Sequence, residues 1–310
     1  MTAATIDTAT TGKKSRVKKN SSSWKSFFTV PVIVSSVVLV LILLSAVFAN
    51  VIAPYDPNQV SLGAILSPPS GSHLLGTDKT GRDIFSRVLF GSRTTMLSAI
   101  GVVAISMVIG IPYGLASGYF GGWLDKILMR ISDVILSFPS LLLAFLLIAA
   151  FGRSLTNAVV AVGIVYVPML ARLTRSVALV EKNKTYVEAA QSIGYSSAHI
   201  MFREILPNCV PALIVQGTLD LGYAILDLAA MSFLGLGVQP PTSDWGAMLE
   251  EGRGLIQLAP LCALAPGAMI LITVVAINVL GDGINHWLDP KQRKLMPMRR
   301  FRKLVLGGER

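Results

Sequence analysis

Six apolar stretches, near residues 29–51, 95–118, 134–152, 157–178, 210–236 and 260–284, alternate with shorter polar segments along the chain. A bilayer core takes roughly 20 helical residues to cross, and each stretch reaches or nearly reaches that length. None shows the period-2 alternation of a barrel strand. The pattern predicts an all-α membrane protein with six transmembrane helices.

The segments between the spans carry patterns of their own. From Asp83 to Gly91, the apolar residues Ile84, Phe85, Val88 and Leu89 repeat at helical spacing, with Arg82, Ser86 and Arg87 on the other face. A short helix lying on the outer membrane surface fits this arrangement, and so does a loop packed on the helix ends. After span two, Gly118, Gly121 and Gly122 are expected to break the helix ahead of the polar positions Asp125, Lys126, Arg130 and Asp133. Gly110 and Gly114 form a small-xxx-small pair of the kind that lets helices approach closely in lipid.

The longest polar interruption is TYVEAAQSIGYSSAHIMFREILPN, Thr185 to Asn208. Thr185 and Glu188 match a capping box, which predicts a short helix from Tyr186 to about Ile193. Gly194 then supplies a left-handed turn. Ser196 or Ser197 caps a second helix over 198–206, and Pro207 stops it or starts the next span. Two readings compete. Either the segment is a folded connector, or it presents Ala189, Ala190, Ile200, Met201 and Phe202 to a partner's groove.

Composition narrows the class. Hydrophobic residues make up 53% of the 310 positions and charged residues 14%, against about a quarter charged in soluble domains. Lipid is the main solvent. Charge then orients the chain: segments 1–28, 119–133, 172–209 and 285–310 hold 6, 2, 5 and 8 basic residues, or 21 of 27. By the positive-inside rule both termini are cytoplasmic. The same asymmetry accounts for the net charge of +10 without nucleic acid, since basic segments beside a membrane are topogenic and attracted to anionic lipid. The apolar run after the basic N-terminus is too long for a signal-peptide core and reads as a retained anchor.

Candidate chemistry is sparse. Asp220 and Asp227 are seven residues apart on one face of span five, with Tyr223 between them. Carboxyls at membrane depth are costly, so these either form a cation or proton path or are hydrogen-bonded to neighbouring helices or a wet cavity. Neither the cysteines Cys209 and Cys262 nor the three histidines, all outside the spans, have metal-site spacing. No G-x-x-x-x-G-K-[ST], GxSxG or HExxH run occurs, so the chain is not read as an enzyme.

Glu188-Ala189-Ala190, three residues, Gly194, then Ile205-Leu206-Pro207 resembles the EAA loop of bacterial ABC importer permeases. HLLGTDKTGRDIFSR (73–87), GYFGGWLDKILMRISD (118–133), SFLGLGVQPP (232–241), DWGAML (244–249) and GDGINHWLDP (281–290) are similar, in order, to motifs of the C-type subunit of the dipeptide, oligopeptide and nickel permease family. One departure is Glu204, where the family often has an apolar residue. With Ile205 beside it, the apolar contact moves by about 100° around a helix.

The resemblance implies a type I ABC importer permease-like core in the bacterial inner membrane. It would form half a pore with a homologous permease, served by two ATPase subunits and an extracytoplasmic solute-binding protein. ATP and Mg would be held by the ATPases, with no cofactor or metal in this chain. The coupling loop to the ATPases would comprise Glu188, Ala189, Ala190, Gly194, Ile200, Phe202, Leu206 and Pro207. Asp220 and Asp227 become pore or gate candidates, and Asp78, Arg82 and Asp83 candidate contacts of the binding protein. Dipeptides or oligopeptides are the expected cargo, with nickel or a metal chelate as the alternative; a secondary transporter using Asp220 and Asp227 is a further one. The expected division is a disordered cytoplasmic tail at 1–28, an anchor and outer segment at 29–94, a permease core at 95–290 with its coupling loop at 181–208, and a basic tail at 291–310.

Overall fold

The computed structural model describes residues 29–288, so the two tails expected at 1–28 and 291–310 lie outside the described residues. The principal helices are α1 (Val30–Val47), α2 (Ile84–Phe120), α3 (Gly122–Leu136), α4 (Ser140–Phe151), α5 (Leu155–Lys182), α6 (Thr185–Ser192), α7 (Leu206–Phe233), α8 (Trp245–Arg253) and α9 (Leu261–Leu288). Five described helices are long and apolar enough to cross a membrane, or six when the bent pair α3–α4 counts as one. The expected spans are therefore present, with three differences.

First, the segment after Asp83 is not a separate surface helix. Asp83 caps α2 by accepting from the Ser86 amide at 2.8 Å, and the helix runs unbroken for 37 residues. Gly91 lies within it, where the Trp245 ring occupies the space a side chain would need. At 1.5 Å per residue α2 is about 55 Å long, against a hydrocarbon core of about 30 Å. It therefore projects beyond the bilayer.

Second, Gly118 does not break the helix; Gly121 and Gly122 do, at φ +65° and +59°. The polar stretch after them forms the amphipathic helix α3. Its polar side is fastened to α5 by Arg175, whose Nε and Nη2 donate to the two Asp125 oxygens at 2.5 and 2.7 Å, and by an Arg172–Asp133 pair. Its outward side carries Trp123, Ile131 and Val134, all exposed.

Third, span three is not straight. α3 and α4 meet at an angle of 88° across Ser137–Pro139, because proline ends the pattern and disfavours helix at the residue before it.

The bundle core joins α2, α5 and α7. Met96, Ala99 and Val102 pack with Ala158, Ala161, Val162 and Val165, and with Ala224, Ile225 and Leu228. Close approach of α2 to α5 follows from Gly110, Gly114 and Gly118. A carbon added at these positions would lie 3.1, 2.4 and 3.0 Å from the carbonyl oxygens of Val167, Ala171 and Arg175. Here the small residues bring backbones together, and dispersion supplies the attraction that hydrophobicity cannot provide inside lipid.

Candidate functional site

The segment 185–208 folds as a hinged unit at one end of the bundle. α6 stops at Gly194, which adopts φ +89° as its type allows. Ser196 then accepts from the His199 amide at 3.3 Å. A π-helical stretch, Ile200–Ile205, leads directly into α7. The i→i+5 hydrogen bond of such a stretch sets Ile200 above Ile205, and both are fully buried.

The expected capping box is not formed. Lys184, not Thr185, occupies the cap position, with no side-chain cap bond. The helix starts one residue early, so Glu188 falls beyond the third position from which it could reach back.

Burial divides the expected loop residues. Val187, Ala190, Ile200, Met201 and Ile205 pack inward against Leu115 and Tyr119 of α2 and Leu170 and Ala178 of α5. Ala190, Ile200 and Met201, expected to face a partner, instead hold the segment onto the bundle, because the apolar ends of α2 and α5 cover them. Leu206 is half-buried. Exposed at the tip are Glu188, Ala189, Gly194, Phe202 and Pro207, together with two residues that sequence reasoning did not select: Ile193, 70% exposed, and Tyr195. The spacing of four between Ala189 and Ile193 carried that signal.

Further into the bundle, a cavity of about 310 Å³ opens between the α3–α4 corner, α5 and α7. Phe138 and Ser140 line it from the corner, Tyr166 and Met169 from α5, and Asp220, Tyr223 and Asp227 from α7. Both carboxyls accept hydrogen bonds from neutral groups: Asp220 from Gln216 at 2.8 Å and Asp227 from the Tyr166 hydroxyl at 2.8 Å. The structure thus brings the two expected pore candidates to one cavity, where a bond from the same helix to Asp220 and one from α5 to Asp227 satisfy part of their cost.

At the opposite end, Asp78, Arg82 and Asp83 are 4, 7 and 2% exposed. They are not surface contacts; they form the interior of a polar clasp. Asp78 Oδ2 accepts from Arg82 Nε at 2.7 Å and Arg87 Nη1 at 2.6 Å, and Glu251 of α8 accepts from the same two guanidinium groups at 2.8 and 2.7 Å. Asp83 accepts from Ser86 and lies 2.9 Å from His73 Nδ1. Burial pushes the Asp78 carboxyl up. Donation from the Thr80 hydroxyl and the Arg82 and Thr80 amides, with the Arg87 charge, outweighs burial and holds it below its ordinary value.

A multi-span helical bundle with a largely apolar, open cavity that bears two carboxyls, and with a hinged, apolar-tipped segment at one end, has the architecture of a membrane permease. The chain belongs to the family described as binding-protein-dependent transport system inner membrane component, matched over residues 110–294. Residues 23–69 match the N-terminal TM domain of oligopeptide transport permease C. It is 48% identical to the probable D,D-dipeptide transport system permease protein DdpC of Escherichia coli, over 84% of this chain and 87% of that protein. It is 44% identical to the glutathione transport system permease protein GsiD of Pectobacterium atrosepticum, over 86% and 90%. It is also 44% identical to the di/tripeptide transport system permease protein DppC of Pseudomonas aeruginosa, over 82% and 86%. In fold it resembles the inward-facing MetNI methionine ABC transporter, with TM-score 0.54 and 19% identity over 66% of this chain and 98% of that one. The protein is a multi-pass inner-membrane permease subunit of the ABC importer class.

Proposed function

We propose that this chain forms half of the translocation pore of an ATP-driven importer of dipeptides or short oligopeptides, pairing with a homologous permease. The bias of basic residues toward segments 1–28, 119–133, 172–209 and 285–310 supports a cytoplasmic location for both termini. That assignment turns the 185–208 segment toward the cytoplasm and the Asp78–Glu251 clasp outward.

Two ATPase subunits meet the exposed tip formed by Glu188, Ala189, Ile193, Tyr195 and Phe202, a short helical surface with apolar anchors suited to a groove. They bind ATP and Mg and carry out the hydrolysis, and an extracytoplasmic binding protein delivers the solute to the clasp end. ATP-driven closure shifts the permease only through a contact that differs between its two states, and the tip is the contact that meets this requirement. The cavity beside Asp220 and Asp227 lies on the solute's path.

The observation that carries the peptide assignment is the 44–48% identity to permeases of D,D-dipeptide, glutathione and di/tripeptide systems. Gentle purification of tagged chain from its native membrane tests the reading. A second permease and Walker-motif ATPases are expected to co-purify, and the cognate binding protein is expected to hold a peptide. Recovery of the chain as a self-sufficient transporter, or of a binding protein loaded with nickel, would overturn it.

A further inference from the structure

α5, α6 and α7 meet at one phenol. The Tyr186 hydroxyl of α6 donates to Glu181 Oε2 of α5 at 2.8 Å and accepts from Asn208 Nδ2 of α7 at 3.3 Å. Glu181 is buried, and its other oxygen takes the Lys184 ammonium at 2.6 Å. Burial and the neighbouring Glu181 carboxylate push the phenol up to about 12, so the hydroxyl keeps its proton and stays a donor. The ring packs on the cluster beneath the segment.

The same two long helices are tied again farther along, where Tyr166 of α5 donates to Asp227 of α7. The ties are 15 residues apart on α5 and 19 apart on α7, or about 22 and 29 Å along the axes. Two antiparallel helices tied at two separated points resist sliding and splaying, and both help line the cavity near the second tie. Backbone alone connects α6 to this pair less firmly: Asn183 and Lys184 join it to α5, and a glycine hinge and a π-turn join it to α7.

We propose that Tyr186 is a positioning residue for transport: its hydroxyl transmits displacement of the hinged segment to α5 and α7 jointly, and so to the cavity wall. This rests on the reading that the segment's tip meets the ATPases. If the phenol were only a folding contact, its loss would disturb the segment itself. If it transmits, its loss would leave the segment responsive and the cavity wall silent.

The test uses the full complex, with partner permease and ATPases, in lipid nanodiscs. A bimane probe is placed at Gln191→Cys on exposed α6 or, separately, at Tyr223→Cys on the exposed cavity wall. Cys209 and Cys262 are buried. The signal is the change in emission between the nucleotide-free and ATP–vanadate states. With Tyr186 intact, both probes respond. With Tyr186→Phe, the probe at 191 is expected to keep its response and the probe at 223 to lose at least half of its own. Asn208→Ala should behave alike, and Glu181→Gln, which retains an acceptor, should preserve both responses.

An undiminished response at 223 in Tyr186→Phe overturns the proposal. So does loss of both responses, which would make the phenol a folding contact. No response at 191 with Tyr186 intact would instead remove the docking reading on which the proposal stands.

Discussion

Tyr166 and Asp227 lie 61 residues apart in sequence, yet the tyrosine hydroxyl donates to the aspartate at 2.8 Å across α5 and α7. The bond satisfies one oxygen of a carboxyl held within a membrane span. Removing the donor leaves that group short of a partner, which costs about 1–3 kcal/mol in a buried site. Tyr166→Phe is expected to lower the thermal stability of the purified complex, whereas Asp227→Asn, which still accepts from the tyrosine, should lower it less. In a double-mutant cycle the two effects should fall short of additivity; strictly additive losses would show that the pair is not coupled.

Gly194 at φ +89° has no atom within 4 Å of where a side chain would start. Any penalty for substitution there is therefore backbone strain, about 1–2 kcal/mol for an ordinary residue in a left-handed conformation. Gly194→Val is expected to insert and accumulate normally while uptake falls, and Gly194→Asn, better tolerated in this region, should lie between it and the native chain. Normal uptake by the valine variant at normal expression would count against a coupling role for the hinge.

Ile193 is 70% exposed, so changing it should move the stability of the permease by no more than about 0.5 kcal/mol. Its consequence should be felt by the partner. Ile193→Asp buries a charge in any apolar groove that receives the tip, and co-purification of ATPases is expected to fall at least tenfold. Unchanged ATPase recovery would place the docking surface elsewhere on the chain.

The clasp of Asp78, Arg82, Arg87 and Glu251 predicts a pH response of definite sign. The folded Asp78 carboxyl is held below 3.8, so the folded state binds its proton more weakly than the unfolded chain does. The stabilisation is fully present above the ordinary carboxylate value and is lost as pH falls through the lower, folded one. Melting temperature against pH should drop in that acid window, and Asp78→Asn should flatten the drop. Glu251→Ala, which strips two buried guanidinium groups of a partner, should destabilise by about 3–5 kcal/mol. A Glu251→Ala protein as stable as the native one would show the clasp to be dispensable.

The spans were legible because apolar length alone decides whether a helix dwells in lipid, and Gly194 because few other residues tolerate its turn. What escaped the sequence depends on residues distant in the chain. Glu251 pairs with arginines 164 and 169 positions earlier, so Arg82 appeared as a surface charge. The helix α3 showed in the sequence only as polar positions after glycines, because its polar stripe finds its partners on α5 only after folding. Ala190 and Ile200 belong to the same legible segment as Ile193, but which of them faces the bundle is decided by where α2 and α5 end. The capping box failed over a single residue, since Lys184 opens the helix before Thr185 can cap it.

The glycines of α2 that touch the carbonyls of α5 have a mechanical consequence. With backbones in contact at 110, 114 and 118, neither helix can roll on the other without collision, and the clamps between α5 and α7 extend that rigidity to a third member. Three helices then move as one body in this subunit. The remaining wall of the cavity is the bent corner at Ser137–Pro139, whose α4 arm carries none of the ion pairs that pin α3 to α5. Inherited changes should sort accordingly: those along the glycine contact should deplete the protein from the membrane, while those at Phe138 or Ser140 should leave its abundance alone and alter what passes.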